Sequence, residues 1–345
     1  MKTKSFLLGA AALMLATACS NDEVVKVAEN GAAIGFNSFV NNSTRATDNT
    51  YANLDDLKVW GVTSRGTDVA AVEIFNGETV TKGTAQAGTG IWTYSPLRYW
   101  IADNAYSFAA VAPAAVVGNE LKVAQSLDEG WTEAGLTLTF DNETAKAEKD
   151  ILYAKADVAK ATANNAAVGL NLKHMLSRVR FQFINEFTTG EKIRIKDVKI
   201  LNATSKADIT KAEATGTWSN PVGTFSIPFG VAEEDGMKVT TAHMYLIPLT
   251  EATAYNISFT VELLSSNEDV LATYEHKGTL VEGTEDQYTG VSLGKVAYKN
   301  NCSYTFKASI NPSNVNPDEE LHPIQFTATV GDWEEWDGTT PSVTL

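Results

Sequence analysis

Several groups of side chains in this sequence have types and spacing that could carry chemistry. Ser292-Leu293-Gly294-Lys295 has the SxxK spacing in which a lysine activates a serine nucleophile, but the KTG and SDN partners of such a site are missing. A strand-to-strand turn accounts for it. There is no GxSxG and no HExxH, and His174, His243, His276 and His322 lie far apart, each read as a half-buried strand histidine. The acidic run from Asp332 to Asp337 lacks the glycine and alternating oxygens of a calcium loop and reads as a solvated turn. Trp92, Tyr94, Tyr99 and Trp100 could stack on sugars, but at strand spacing such rings more often fill a sandwich core. Cys19 and Cys302 are the two cysteines, without CxxC spacing, which excludes a disulfide framework and structural zinc. Cys302 sits in an alternating strand and reads as a small buried hydrophobe. The reading is a protein with no catalytic residues, no metal and no cofactor.

The elements around these groups are strands. Leu57 and Val59, Tyr106 and Phe108, then Leu136, Leu138 and Phe140 keep a period of two. Val179, Phe181 and Phe183 alternate with Arg178, Arg180 and Gln182, and Ile257, Phe259 and Val261 repeat the pattern, as do Tyr304, Phe306, Ala308 and Ile310. Turn-rich pieces separate the runs, as at 81–90, 117–130 and 311–317. Thr144 to Lys149 and Ala156 to Ala166 are short and Ala-rich and predict surface helices. The profile is all-β, two β-sandwich domains with a few short surface helices. Leu170, Leu172, His174 and Leu176 are even-numbered, whereas Val179, Phe181 and Phe183 are odd. A slip of one residue turns side chains to the other face, so one strand ends near Ser177 and a new sheet begins. The domain change is placed there, giving 46–177 and 178–345.

Acidic residues outnumber basic ones 42 to 27 in 345 residues, a net charge of −15, which argues against a nucleic-acid partner. The start is a targeting signal: Lys2 and Lys4, an apolar run from Phe6 to Leu15, then Ala16-Thr17-Ala18-Cys19. A cysteine directly after small residues resembles the lipobox of bacterial lipoproteins, with Ala16 where leucine usually stands. Residues 1–19 are then a lipoprotein signal peptide and Cys19 the lipidation (palmitate) site. Ser20-Asn21-Asp22-Glu23 resembles the surface-export signal of Bacteroidetes lipoproteins.

Several segments together resemble one family, the fimbrillins, precursors of type V pili in Bacteroidales. They are the lipobox with its acidic follow-on, Ile34-Gly35-Phe36, Asn42-Ser43-Thr44-Arg45-Ala46, Leu57-Lys58-Val59-Trp60-Gly61 and Trp92-Thr93-Tyr94-Ser95-Pro96. Asp150-Ile151-Leu152-Tyr153-Ala154, Leu172 to Phe181, and Ile324 to Val330 with Asp332-Trp333 continue the likeness to the end of the chain. The resemblance implies two transthyretin-like domains, no enzymatic activity and a place in fimbriae on the cell surface, serving adhesion and biofilm formation. The implied partners are copies of itself, other pilus subunits, an Arg-specific maturation protease, a host or bacterial surface receptor, and the outer membrane through the precursor's lipid.

The residues support a mechanism on their own terms. Ile34 and Phe36 lie on one side of a short strand, followed by a polar loop ending at Arg45, so residues 20–45 form a leader with a removable first strand and Ala46 becomes the new N-terminus. The cut removes Lys2, Lys4, Lys26 and Arg45 with Asp22, Glu23 and Glu29, so 27 basic and 42 acidic residues fall to 23 and 39, a net of −16. Removal of the strand leaves an edge that another subunit fills by strand addition. Two donor candidates stand at the C-terminus: Ile324, Phe326, Ala328 and Val330, all pointing one way, and Val343 with Leu345; residues 324–330 serve equally as the last strand of the second domain, which would leave 338–345 as the donor. An anchored adhesin or glycan-binding lipoprotein, or a pilus tip or anchor subunit, is the alternative.

Overall fold

A computed structural model describes residues 32–40, 54–65, 71–83, 92–126, 135–162, 165–209, 217–249, 255–280, 300–315, 324 and 326–332. The first half of the chain runs through β1 (Phe36–Val40), β2 (Asp56–Ser64), β3 (Val72–Lys82), β4 (Trp92–Thr93) and β5 (Ala105–Ala112). It continues through β6 (Leu121–Ser126), β7 (Gly135–Asp141), β8 (Leu152–Val158) and β9 (Val168–His174). The second half holds β10 (Ser177–Asn185), β11 (Lys192–Ile209), β12 (Ser219–Pro228), β13 (Val231–Glu234) and β14 (Lys238–Thr241). After these come β15 (Met244–Leu246), β16 (Tyr255–Leu264), β17 (Val270–Leu280), β18 (Cys302–Ile310) and β19 (Phe326–Asp332).

The fold is all-β, as expected. In the first body the ladder β1-β4-β3-β2-β5-β8-β9 returns to β1, so the strands close into a barrel. Its interior is built from large rings opposite small residues. Phe36, Phe75, Trp92, Trp100, Tyr106 and Phe108 pack with Ala110, Ala112 and Ala154, the size alternation that suits a tapering barrel interior. Gly61 belongs to the same fit, because a Cβ there would lie 2.8 Å from the Phe108 ring. The second body is a sandwich. One six-stranded sheet runs β13-β14-β10-β18-β19 with β15 on β10, and the other runs β17-β16-β11-β7-β6 with β12 on β11. Phe181, Phe183, Phe306 and Phe326 of the first face Ile195, Ile200, Ile257 and Phe259 of the second across one core.

The change of phase near Ser177 is where the chain leaves the barrel: β9 ends at His174, and β10 starts at Ser177 in the other body. The β6–β7 hairpin comes from the barrel's side of that point but extends the second body's sheet, with Leu138 to Asp141 opposite Ile209 to Lys206 of β11. The hairpin and the end of β11 cover the outside of the barrel. Trp60, Val111 and Tyr153 meet Leu136, Leu138, Phe140, Ala207 and Trp218 in a third core that joins the two bodies. Trp218 donates its indole N–H to the Met175 carbonyl at 2.7 Å, just before the crossover.

Neither expected helix is present among the described residues. Residues 156–158 belong to β8, which pairs with β5 along its whole length, Tyr106 opposite Val158 through Ala112 opposite Leu152. Alanine is there because the barrel needs small residues, so sheet pairing overrides helix propensity. Residues 144–147 form turns and 148–149 irregular chain, with Lys146 and Ala147 in the left-handed region, tied down by the Tyr245 N–H donating to the Ala147 carbonyl at 2.8 Å. The only helical piece among the described residues is the 3₁₀ turn Ala114–Val116. Trp218→Ala is expected to cost about 3–5 kcal/mol by leaving a cavity in the joining core, read as a lower denaturation midpoint.

Candidate functional site

β1 is the strand that closes the barrel. It runs parallel to β9, from Phe36 opposite Val168 to Val40 opposite Leu172, and meets β4 antiparallel at Phe36 opposite Trp92. The residues before it are held on both sides. The Ile34 N–H donates to the Arg98 carbonyl at 2.8 Å, the Trp100 N–H to the Ala32 carbonyl at 3.2 Å, and the Val168 N–H to the Gly35 carbonyl at 2.8 Å. The Tyr94 hydroxyl donates to the Ile34 carbonyl at 2.8 Å. Burial pushes the Tyr94 phenol up from its ordinary value, so it stays a donor. Ile34 and Phe36 are each 1% exposed. The Phe36 ring makes edge contacts with Phe75 at 5.4 Å and Phe108 at 5.6 Å and a tilted one with Tyr94 at 5.8 Å. At about 1.5–3 kcal/mol per buried large side chain, the two anchors contribute roughly 3–6 kcal/mol gross.

The neighbour of β1 depends on it. β9 meets β8 only at Leu152 opposite His174 and Tyr153 opposite Lys173. Its other paired residues, Val168 to Leu172, have β1 as their ladder partner among the described residues. Taking β1 away leaves their outward N–H and C=O groups open beside the sockets of Ile34 and Phe36. Such a groove accepts a strand of apolar–any–apolar pattern.

Ile34 and Phe36 thus lie together where the barrel closes, although Ile34 precedes β1 and is held through the Ala33–Tyr99 bridge rather than by the ladder. The aromatic group expected to serve sugars or core serves the core and this segment: Trp92 and Trp100 are buried, and Tyr94 and Tyr99 meet Ile34 and Ala33. Sequence reasoning missed Arg98. Its carbonyl receives Ile34 while its guanidinium donates to the Ile74 carbonyl at 3.2 Å and the Pro96 carbonyl at 2.8 Å. Its place two residues after Pro96 was the available signal.

Of the donor candidates, β19 pairs with β18, Phe326 opposite Ala308 through Asp332 opposite Cys302, at the edge of its sheet. Phe326 is buried against Phe181, Phe183 and Phe259 at 5.7–5.8 Å, and Ile324 is half-buried beside that core. Ala328 and Val330 lie on β19. Cys19, Arg45, Ala46, Val343, Leu345, His322, Ser292 to Lys295 and the acidic run after Asp332 lie outside the described residues.

Three expectations for the remaining groups need correction. His174 is fully buried rather than half-buried, its Nδ1 2.8 Å from an Asp150 oxygen, because the strand end enters the packed barrel. His243 lies between β14 and β15, not in a strand. Cys302, at the first position of β18, is half-buried at the rim of the core. Among the described residues no group of three or more His, Cys, Asp or Glu could hold a metal ion.

As a class, this is an all-β protein whose first described strand closes a barrel that packs against a β-sandwich. The family is given by the sequence: the fimbrillin-like model matches residues 44–333, and the chain belongs to that family. No curated protein matches it. Among solved structures, a candidate cell adhesion protein from Bacteroides uniformis shares the fold at TM-score 0.50 and 15% identity, over 87% of this chain and 99% of that one. One from Bacteroides ovatus is similar at TM-score 0.47 and 14% identity, over 89% and 99%. The fimbrial anchor protein Mfa2 from Porphyromonas gingivalis aligns at TM-score 0.38 and 11% identity, over 88% and 98%.

Phe36→Ala is expected to destabilise the full chain by about 3–5 kcal/mol and to speed amide exchange selectively at residues 168–172, measured by hydrogen-exchange mass spectrometry. Tyr94→Phe removes one hydrogen bond to the leader and is expected to cost about 1 kcal/mol.

Proposed function

We propose that this chain is a structural subunit of a type V pilus, exported as a lipoprotein on Cys19, cut between Arg45 and Ala46, and polymerised when a neighbour's C-terminal segment replaces β1. Membership of the fimbrillin-like family supports a pilus or adhesin role at the cell surface. The observation that carries the finer reading is the closure of the barrel by β1, the one barrel strand that lies upstream of Arg45. Its removal therefore leaves the other barrel strands on the mature chain.

The cut breaks the covalent tie but not the contacts. Ile34, Phe36 and the backbone bonds of 32–40 still hold the leader, so release needs a competing strand. That order protects the groove, because the edge is not left bare between cutting and assembly. The donor of this reading is the segment beyond Asp332. Val343 and Leu345 repeat the two-residue spacing of Ile34 and Phe36. Donation of β19 would pull Phe326 from the second core, at a cost of about 3–5 kcal/mol. A stalk position follows from having both a removable strand and a donor tail. The division at residue 177 then separates an acceptor barrel from a sandwich that presents the tail, with the β6–β7 hairpin crossing between them.

Arg45→Ala is expected to leave the precursor lipidated and unable to polymerise, while filaments at normal yield would contradict the maturation step. Deleting residues 338–345 is expected to stop polymer growth without lowering the melting temperature of the monomer; unchanged polymerisation would move donation to β19 or elsewhere.

A further inference from the structure

Among the described residues the second body carries a long open edge at β17. Among the described residues β17 pairs only with β16, from Tyr255 opposite Leu280 to Leu264 opposite Val270. Three of the other edges are blunted in ways that discourage pairing, which leaves the seven-residue β19 as the shorter unblunted edge beside β17. β12 contains Pro221, Gly223 and Pro228, β13 has four residues and ends in Glu233 and Glu234, and β6 has six. β17 has eleven residues and no proline. Its outer face carries Leu271, Thr273, Glu275 and Lys277, all exposed, while Ala272, Tyr274 and His276 are half-buried on the inner face. Glu275 and Lys277 stand opposite Thr260 and Ser258 of β16, so their own sheet gives them no charged cross-strand partner.

We propose that β17 is a homodimer edge, pairing antiparallel with β17 of a second copy about a two-fold axis at His276. Charge complementarity selects both the partner and the register. Two copies related by a two-fold perpendicular to the sheet keep their inner faces on the same side only if a residue meets one of its own parity. Centring on residue 275 sets Glu275 against the partner's Glu275, and centring on 277 sets Lys277 against the partner's Lys277. Centring on 276 sets Glu275 against the partner's Lys277 and Lys277 against the partner's Glu275, with Thr273 against the partner's Thr279. The axis then passes through His276, whose ring stacks on Phe259 at 5.1 Å. Burial lowers the affinity of that imidazole for a proton, so two facing rings are neutral at neutral pH. The pairing joins two copies side by side through a continuous sheet. It stands on β17 alone and goes beyond the pilus reading, so its failure leaves the groove argument untouched.

The test is sedimentation equilibrium of the full chain carrying Cys19→Ser, which keeps it free of lipid. The background chain is expected to dimerise. Glu275→Lys and Lys277→Glu each turn two attractive pairs into two repulsive ones and are expected to weaken dimerisation roughly tenfold. The double variant Glu275→Lys, Lys277→Glu restores both pairs and is expected to recover the background dimer. A background chain that stays monomeric, single reversals that dimerise as well as the background, or a double variant that stays monomeric would each overturn the proposal. Melting temperatures equal to the background's confirm that these exposed changes leave the fold intact.

Discussion

Closure of the barrel by β1 is the constraint on which the rest of the first body depends. A closed ladder has no edges, and here closure rests on a short strand that pairs along β9 and touches β4 at one position. The barrel interior is built around it: Phe36 contacts Phe75, Phe108 and Tyr94, and the residues before it bond to the chain around Arg98. β9 shows the dependence most clearly, being tied to β8 only at its last two residues. Whatever fills the β1 position must therefore supply two apolar side chains two residues apart and a backbone that completes the β9 ladder.

The second body supplies a firm platform for that groove. The core joining the two bodies contains Trp60 and Tyr153 from the barrel and Phe140 and Trp218 from the covering elements, and an apolar junction of this kind opposes hinge motion. The orientation of strands adds a geometric consequence. β9 runs toward the crossover at 175–176, and β19, antiparallel to β18 and so to β10, also runs back toward it, ending opposite Cys302, while the Asn301 N–H donates to the Leu176 carbonyl at 3.1 Å. The chain beyond Asp332 thus departs beside the junction of the two bodies. The acidic charge bears on assembly only modestly, since screening over about 8–10 Å limits repulsion between neighbouring subunits.

The strands were legible in the sequence because period-two alternation follows from having one buried face, as along Val179, Phe181 and Phe183. The change of sheet near Ser177 was legible for the same reason. Ala156 to Ala166 misled because alanine signals helix by propensity, whereas Ala156 stands opposite Phe108 on β5 and makes room for its ring, a need visible only when β5 and β8 are paired. Of the site, Ile34 and Phe36 could be read from spacing. The hold of Tyr94 and Arg98 on the leader could not, because it spans about sixty residues of sequence and uses backbone carbonyls that carry no residue signature. The joining core was hidden likewise, since β7 and β11 show the same alternation as the other strands and only register assigns them to the same sheet.

The central claim, that β1 is a removable strand replaced on assembly, is tested most directly by denaturing mass spectrometry of filaments detached from the cell surface. The account predicts a chain that begins at Ala46, with no peptide covering residues 20–45 in the same material. A chain that begins at an acylated Cys19, or a 20–45 peptide present in equal amount with the cut subunit, would contradict it.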